Sequence, residues 1–227
     1  MNAQLETRYK LISSSGSQQI FTATVDSEHR TLDIPESYHP PEWALLDFNQ
    51  CQHCPLKKDT DKYCPIAKNM AYLLNNAQFD CSHTEVVLEV TSGHRVITSE
   101  TTMQRALSSL FGLVCGLSNC PYTRPFRPMA IFHLPLSSDV ETLFRAVSLF
   151  LMRAYFAHQD NPEKPINLDE MQQTYQDLAL LNKGLAQRFR SAHSSDSHTN
   201  AVVLLDILAR DVSFEMEDQL NILKDLL

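Results

Sequence analysis

The pattern of hydrophobic and polar positions changes its period near residue 100. Before that point, short segments alternate in part and are rich in β-branched and aromatic residues, which is typical of strands. Four strands are predicted in this way, at 8–13, 18–25, 30–34 and 84–91. Gly93 marks the end of the last one. A helix is predicted to begin at Pro65, where Ile66, Met70 and Leu73 fall on one face.

After residue 100 the apolar positions follow a helical period, and capping signals precede them. Three residue pairs have the spacing of a capping box, namely Thr101 with Gln104, Ser138 with Glu141 and Asn167 with Glu170. The predicted helices cover 103–117, 139–158, 168–191, 200–210 and 214–227. The segment 119–128 contains three prolines and is predicted to be an extended linker.

These elements predict an α+β fold, with a small N-terminal antiparallel sheet followed by a C-terminal helical bundle. The β-rich region, with the cysteine loop and one helix, covers 1–98. The helical bundle covers 99–227. We expect the two regions to form one compact unit.

The charge balance argues against two classes of partner. The 227 residues include 27 acidic and 19 basic side chains, a formal net charge of −8. Such a surface repels phosphate backbones and anionic lipid, so neither a nucleic-acid nor a membrane partner is expected. The N-terminus lacks the apolar run of a signal peptide, and no apolar stretch approaches the roughly 20 residues that span a bilayer. A cytoplasmic location is therefore predicted, in which the six cysteines stay reduced.

The stretch QCQHCPLKKDTDKYCP, residues 50–65, carries the strongest chemical signal. Cys51 and Cys54 form a C-x2-C pair, and Cys64 follows closely. Five charged residues between Cys54 and Cys64 argue against burial of this loop in an apolar core. A tetrahedral metal site needs a fourth ligand, and Cys120 is the first choice because it lies in a polar, proline-stiffened loop at a helix end.

Proline follows three of these four cysteines and biases each of them toward an extended backbone. Pro65 also suits the first position of a helix, which places Cys64 at the N-cap. The helix dipole there favours a thiolate, which is the form that a metal ion needs. The alternative interpretation is a set of buried thiols or a single reactive thiol.

The predicted cofactor is Zn²⁺, because a closed site of four cysteines suits this ion. A 4Fe–4S cluster is the alternative, since clusters are also held by neighbouring cysteines followed by proline. Cys115 lies in an apolar helix and is interpreted as a core residue. Three residues are weaker alternatives to Cys120 as fourth ligand, namely Cys81, His53 and His83.

A second candidate site is the basic segment RPFRPMAIFHLP, residues 124–135. Arg124, Arg127 and His133 can form a ligand pocket close to the cysteine loop, because two arginines in a rigid loop can hold a carboxylate or a phosphate. The competing interpretation is that the arginines brace the loop and that His133 is a packed histidine. A further basic group, Arg188, Arg190 and His193, lies at a predicted helix C-terminus, where the dipole alone explains it.

The segments QCQHCPL, CPIA and NCPYTRPFRPMAIFHLP resemble an uncharacterised bacterial protein family with no assigned function. The resemblance runs over most of the chain and implies no activity, substrate or cofactor. The phosphate-binding, nucleophile-elbow and HExxH motifs of large enzyme classes are missing from the sequence. We therefore predict a metal-binding protein with a binding or regulatory role and an unknown protein or small-molecule partner. The alternative is a cysteine- or iron–sulfur-dependent redox enzyme.

Overall fold

A computed structural model describes residues 5–74, 77, 79–192, 199–203, 205–206 and 216–226. Its sheet is built from four antiparallel strands, β1 (Leu5–Ser13), β2 (Gln18–Val25), β3 (Glu85–Ser92) and β4 (Arg95–Thr102). Their order across the sheet is β2-β1-β3-β4. Helices follow the sheet in the chain, so the α+β fold predicted from the sequence is confirmed.

One face of the sheet is buried, because the apolar residues of its strands alternate with polar ones. Tyr9 and Leu11 of β1, Phe21 of β2 and Leu88 of β3 all belong to the main hydrophobic core. β4 is an edge strand with no buried residue, and its Val96 is exposed. The buried face therefore lies on β1, β2 and β3, which correspond to three of the four strands that the sequence pattern predicted.

Two details of the sheet differ from the prediction. The segment 30–34 is not a strand, and only Leu32 forms an isolated bridge, to Val25. The chain turns there, since Arg30 has a φ of 57° and its N–H donates to the Asp26 carbonyl. β4 was missed because Gly93, with a φ of 58°, ends β3 by forming a tight turn into another strand.

The described helices are α1 (Pro65–Leu74), α2 (Met103–Gly116), α3 (Arg127–Ile131), α4 (Asp139–Asp160), α5 (Asp169–Ala192) and α6 (Met216–Lys224). Residues 199–203 are also helical, whereas His193, 207–215 and 227 lie outside the described residues. At least four helices after residue 100 were expected, and this is confirmed. The segment 119–128 is not extended, because a 3-10 turn at Arg124–Phe126 leads directly into α3.

The predicted caps have different outcomes. Ser138 and Glu141 form the predicted capping box at α4. The capping box at Thr101 is wrong, because this residue belongs to β4 and α2 begins two residues later. At α5 the side chain of Asn167 accepts a hydrogen bond from the N–H of Asp169 at 3.3 Å. The Glu170 side chain pairs with Arg153 instead, so a predicted capping box is confirmed at α4 alone among the three.

The helices pack in two groups. α1, α2 and the C-terminal half of α5 share the main core with the sheet. A smaller core joins α4, the N-terminal half of α5 and α6, and includes Phe150, Met171 and Leu223. Among the described residues, no helix combines the length and the apolar character needed to cross a membrane.

Candidate functional site

The C-x2-C pair lies in a tight turn that packs against α5. The N–H of Cys54 donates to the carbonyl of Cys51 at 3.0 Å, which closes the turn. Cys51 rests on Gly184, where an added Cβ atom would lie 2.7 Å from the Cys51 sulfur. Real Cβ atoms do not approach another atom so closely, so any side chain at this α5 position would displace the Cys51 turn or its sulfur.

Cys64 occupies the N-cap of α1, as the proline after it predicted. Its carbonyl accepts the first helical hydrogen bond, from the N–H of Lys68, at 2.9 Å. Its own N–H donates to the carbonyl of Ala44 at 2.9 Å, beside an antiparallel bridge between Leu45 and Tyr63. Segment 44–46 therefore fixes the backbone of Cys64, which is itself a buried residue.

Cys120 lies in a turn after α2, and its sulfur is a hydrogen-bond acceptor. Backbone N–H groups of Tyr122 and Thr123 donate to it. Proline at position 121 holds this segment in the turn, and the N–H groups of Thr123 and Arg124 also donate to the Cys120 carbonyl. Amide donors to sulfur stabilise the thiolate form, which is the form that ligates metals.

A side-chain contact joins the two cysteine turns, which lie almost 70 residues apart in the chain. The Tyr122 hydroxyl donates to the carbonyl of His53 at 2.5 Å. The rings of the two residues also stack, with 4.3 Å between their centroids. Because His53 lies between Cys51 and Cys54, this contact places the Cys120 turn directly on the C-x2-C turn.

The four thiols of Cys51, Cys54, Cys64 and Cys120, here called the cysteine cluster, are close enough for their charges to interact. Burial, together with the charges of Cys64, Cys54 and Cys120, raises the pKa of Cys51 to about 12. Burial also raises the pKa of Cys120 to about 11, with Cys64 and Cys54 acting in the same direction. Within the described residues, no group of three His, Cys, Asp or Glu side chains is arranged to hold a metal ion. The thiols are therefore neighbours rather than a preformed set of ligands.

Arg188 of α5 brings a buried positive charge to the cysteine cluster. Its side chain is 1% exposed and donates to three carbonyls, those of Trp43 and Leu45 at 2.7 Å and that of Leu46 at 3.2 Å. Its charge lowers the pKa of Cys51, against the larger effect of burial. No carboxylate among the described residues forms an ion pair with it.

The remaining cysteines differ from these four. Cys115 is buried in α2, and burial together with the charges of Cys120 and Cys64 raises its pKa. It is a core residue that adjoins the cysteine cluster, in line with its interpretation from the sequence. Cys81 is exposed and does not affect the pKa of Cys51, Cys115 or Cys120.

Both predicted arginines lie beside the Cys120 turn, and the side chain of Arg127 braces it. Arg127 donates to the carbonyl of Ser118 and to the side chain of Asn119, both at 2.9 Å, and to the carbonyl of His29 at 3.2 Å. The backbone N–H of Arg124 donates to the carbonyl of Cys120 at 3.0 Å. The contacts of the Arg127 side chain match the bracing interpretation, whereas Arg124 contributes only its backbone N–H.

His133 is separated from these arginines and joins the sheet instead. Its Nε2 atom shares a hydrogen bond with the hydroxyl of Tyr9, which also bonds the hydroxyl of Ser109 at 2.8 Å. Ser109 in turn accepts the N–H of Leu136 at 3.1 Å. Burial, with a smaller effect from Arg145, lowers the pKa of His133 to about 3, so the imidazole is neutral at pH 7.

Sequence reasoning did not identify Gly184 or Tyr122. It explained Arg188 by the helix dipole, whereas Arg188 is buried and donates to three carbonyls of segment 43–46. The burial of Arg188 has a visible signal, because it continues the apolar face formed by Leu181 and Leu185. Gly184 also has one, since a glycine inside a long helix usually marks a close approach. The contact of Tyr122 with His53 has no local signal, because it depends on how distant segments meet.

A comparison with protein families matches residues 7–227 to the model of a domain of unknown function, DUF6901, and the chain belongs to this family. This match confirms the resemblance to an uncharacterised family that the sequence indicated. No curated protein and no solved structure matches the chain.

Proposed function

We propose that this member of the DUF6901 family is a metal-binding protein in which Cys51, Cys54, Cys64 and Cys120 hold one Zn²⁺ ion. The observation that carries the proposal is the contact between Tyr122 and His53, which brings the Cys120 turn onto the C-x2-C turn. Thiols from three segments, the C-x2-C turn, the start of α1 and the Cys120 turn, are then close enough for their charges to interact. A closed, tetrahedral set of four cysteine ligands is the arrangement that structural zinc sites use.

Two kinds of group near the sulfurs oppose the effect of burial and favour the charged form that zinc requires. Two backbone N–H groups donate to Cys120, and the guanidinium of Arg188 lies close to Cys51. Without a cation, burial outweighs these effects and keeps both thiols protonated at neutral pH. Binding therefore releases protons, and a shared ion would require some of the cysteines to turn their side chains about the Cα–Cβ bond.

The ion would have a structural or regulatory role rather than a catalytic one. Four thiolates fill a tetrahedral shell and leave no open position for a substrate or a reactive water. The ion would link the loop before α1 to the loop after α2, closing a segment of about 70 residues. Its binding energy would then contribute directly to the folding free energy.

Metal analysis of the full chain, purified without oxygen, tests this proposal. We expect about one zinc per chain in the wild type and in Cys81→Ser, and little zinc in Cys120→Ser. Cys81→Ser is the matched control, because it makes the same change at an exposed thiol outside the cysteine cluster. Full zinc content in Cys120→Ser, or a wild-type protein without metal, would contradict the proposal.

A 4Fe–4S cluster with a redox role is the second candidate. The amide donors to Cys120 and the cation near Cys51 support it, because both stabilise the added negative charge of a reduced cluster. The same preparation distinguishes the two metals. A brown protein that contains iron and sulfide and bleaches on reduction would establish the cluster, and a colourless zinc protein would exclude it.

A further inference from the structure

A cavity of about 460 Å³ lies between α2 on one side and α4 and α5 on the other. Loop 132–137 and α3 also line it, together with Thr123, Phe126 and Leu205. Its lining is mainly apolar and includes Phe126, Met129, Leu134, Leu178 and Leu181. The volume falls in the range of small-molecule sites, which are apolar clefts with a few convergent polar groups.

Arg145 is the positively charged residue that lines this cavity from α4. One end of its guanidinium is held in place, since Nη2 donates to the carbonyls of Met129 and Phe132 at 3.0 and 2.8 Å. Its charge acts on two other lining residues, His133 and Tyr175. His133 and Tyr175 are therefore the lining residues that lie close to the Arg145 side chain.

The charge of Arg145 is only partly balanced by the protein. Glu141, one turn earlier on α4, interacts with it electrostatically, but the Glu141 carboxylate accepts hydrogen bonds from the N–H and hydroxyl of Ser138. No carboxylate in the described ranges forms an ion pair with Arg145. Among the lining residues, Arg105 and Arg145 face a single acidic residue, Asp139, so the cavity has a net positive charge.

Gly112 keeps the α2 wall of the cavity open. A Cβ atom added there would meet no described atom within 4 Å, unlike one at Gly116 on the next turn, which would lie 2.7 Å from Ala130. A glycine inside a helix costs about 1 kcal/mol relative to alanine. Packing does not require this one, and its effect is to leave empty space that a side chain would occupy.

We propose that this cavity binds a small carboxylate with an apolar body, whose carboxylate pairs with Arg145 and whose body contacts the leucine and aromatic lining. The carboxylate would be the negatively charged partner of the guanidinium edge that does not contact Met129 and Phe132. Such charge-assisted pairs are strong in apolar surroundings. Tyr175 and His133 border the same end of the cavity, where a neutral imidazole does not repel the pair. This inference is independent of the metal site.

Calorimetric titration of the full chain with octanoate, octanol and octylamine tests the proposal, because the three probes share a tail and differ in the charge of the head group. Octanoate should bind at least about 10-fold more tightly than octanol, and octylamine should bind most weakly. Arg145→Met should lose this preference for octanoate while still binding octanol, which also shows that it is folded. Arg145→Lys, which keeps the charge, should retain part of the preference.

Gly112→Leu provides a second variant that leaves Arg145 in place. Its side chain extends into the cavity and should abolish binding of octanoate and of octanol, whereas Gly112→Ala should keep the binding of both within about threefold. Absence of octanoate binding in the wild type, equal binding of octanoate and octanol, or unchanged octanoate binding in Arg145→Met or Gly112→Leu would overturn the proposal.

Discussion

The cysteine cluster and the cavity differ in how closely atoms pack against the helix glycine in their walls. At Gly184 the sulfur of Cys51 lies 2.7 Å from the position of a Cβ atom, so the wall of the cluster is filled. At Gly112 no described atom lies within 4 Å of that position, so the wall of the cavity is open. The α5 wall of the cluster therefore has no room for a Cβ atom at Gly184, whereas the α2 wall of the cavity has room for one at Gly112.

The two regions also differ in how their charged groups are satisfied. Arg188 at the cluster is fully buried, and three carbonyls accept from it. Arg145 at the cavity is partly exposed, and two carbonyls accept from one of its terminal nitrogens. The regions are nevertheless adjacent, because Thr123 lines the cavity and its N–H donates to the sulfur of Cys120. The first guanidinium is a structural element, and the second retains donors for a ligand.

The largest expected effect is that of Arg188→Met. The methionine keeps much of the volume but leaves three buried carbonyls without their donor, so unfolding should become easier by about 3 kcal/mol. Urea unfolding monitored by circular dichroism measures the change. Arg190→Met makes the same substitution at an exposed neighbour on α5 and should alter stability by less than about 0.5 kcal/mol. Similar stabilities for the two variants would show that Arg188 does not hold segment 43–46.

The next effect is a dependence of stability on pH that originates at His133. Burial lowers its pKa to about 3 in the folded protein, whereas an unfolded histidine titrates near 6.5. The unfolded state therefore binds more protons between these values, and stability is fully present above about pH 6.5 and falls as the pH drops. From about pH 6.5 to 5 the loss should be about 1.5 kcal/mol.

His133→Gln isolates this contribution, because glutamine keeps a hydrogen-bond partner for Tyr9 but does not titrate. The variant is expected to be less stable than the wild type at neutral pH and to show a shallower decline toward pH 5. Urea titrations at several pH values compare the two slopes. Parallel slopes would mean that His133 is protonated in the folded protein without cost.

These regions also differ in how far the sequence predicted them. Strands β1 to β3, the start of α1 at Pro65 and the capping box of α4 follow from signals within a few residues. β4 does not, because its residues are largely polar and its pairing with β3 depends on the turn at Gly93. Residues close in sequence predict where an element begins. An edge strand is harder to predict because it buries little apolar surface and so lacks the alternating apolar pattern.

The cysteines were predicted as a group, and the structure places Cys120 beside the other three. Their shared metal ion stays a prediction. The cavity had no signal in the sequence, since its lining comes from the inner faces of separate helices. His133 was proposed for a pocket with Arg124 and Arg127, yet it lines the cavity while the side chain of Arg127 braces the Cys120 turn. Segment 124–135 is continuous in sequence, but the turn into α3 directs its two ends to different regions.

A smaller effect should separate Gly184 from the other helix glycines. In Gly184→Ala the new methyl group overlaps the sulfur of Cys51, at a cost that exceeds the gain in helix propensity, so a net loss of about 1 kcal/mol is expected. The displaced thiol should also weaken zinc binding, which a competition titration with a chelator measures. Gly116→Ala is the control, because its methyl group meets Ala130 at the same distance without touching a cysteine. Equal zinc affinity in the two variants would remove Cys51 from the metal site.

The smallest change in stability is expected at Gly112, where an added side chain should stabilise the protein rather than destabilise it. Gly112→Ala adds a methyl group to the interior of α2 where no described atom lies within 4 Å, so no overlap offsets the gain in helix propensity. Glycine also loses more backbone entropy on folding than alanine does, and the variant should be more stable than the wild type by about 0.5 to 1 kcal/mol. Thermal unfolding of Gly112→Ala and Gly184→Ala in parallel measures both changes in stability, a gain for the first variant and a loss for the second. A destabilised Gly112→Ala would mean that this wall is filled in solution, and the cavity would then lose the open space on which its ligand site depends.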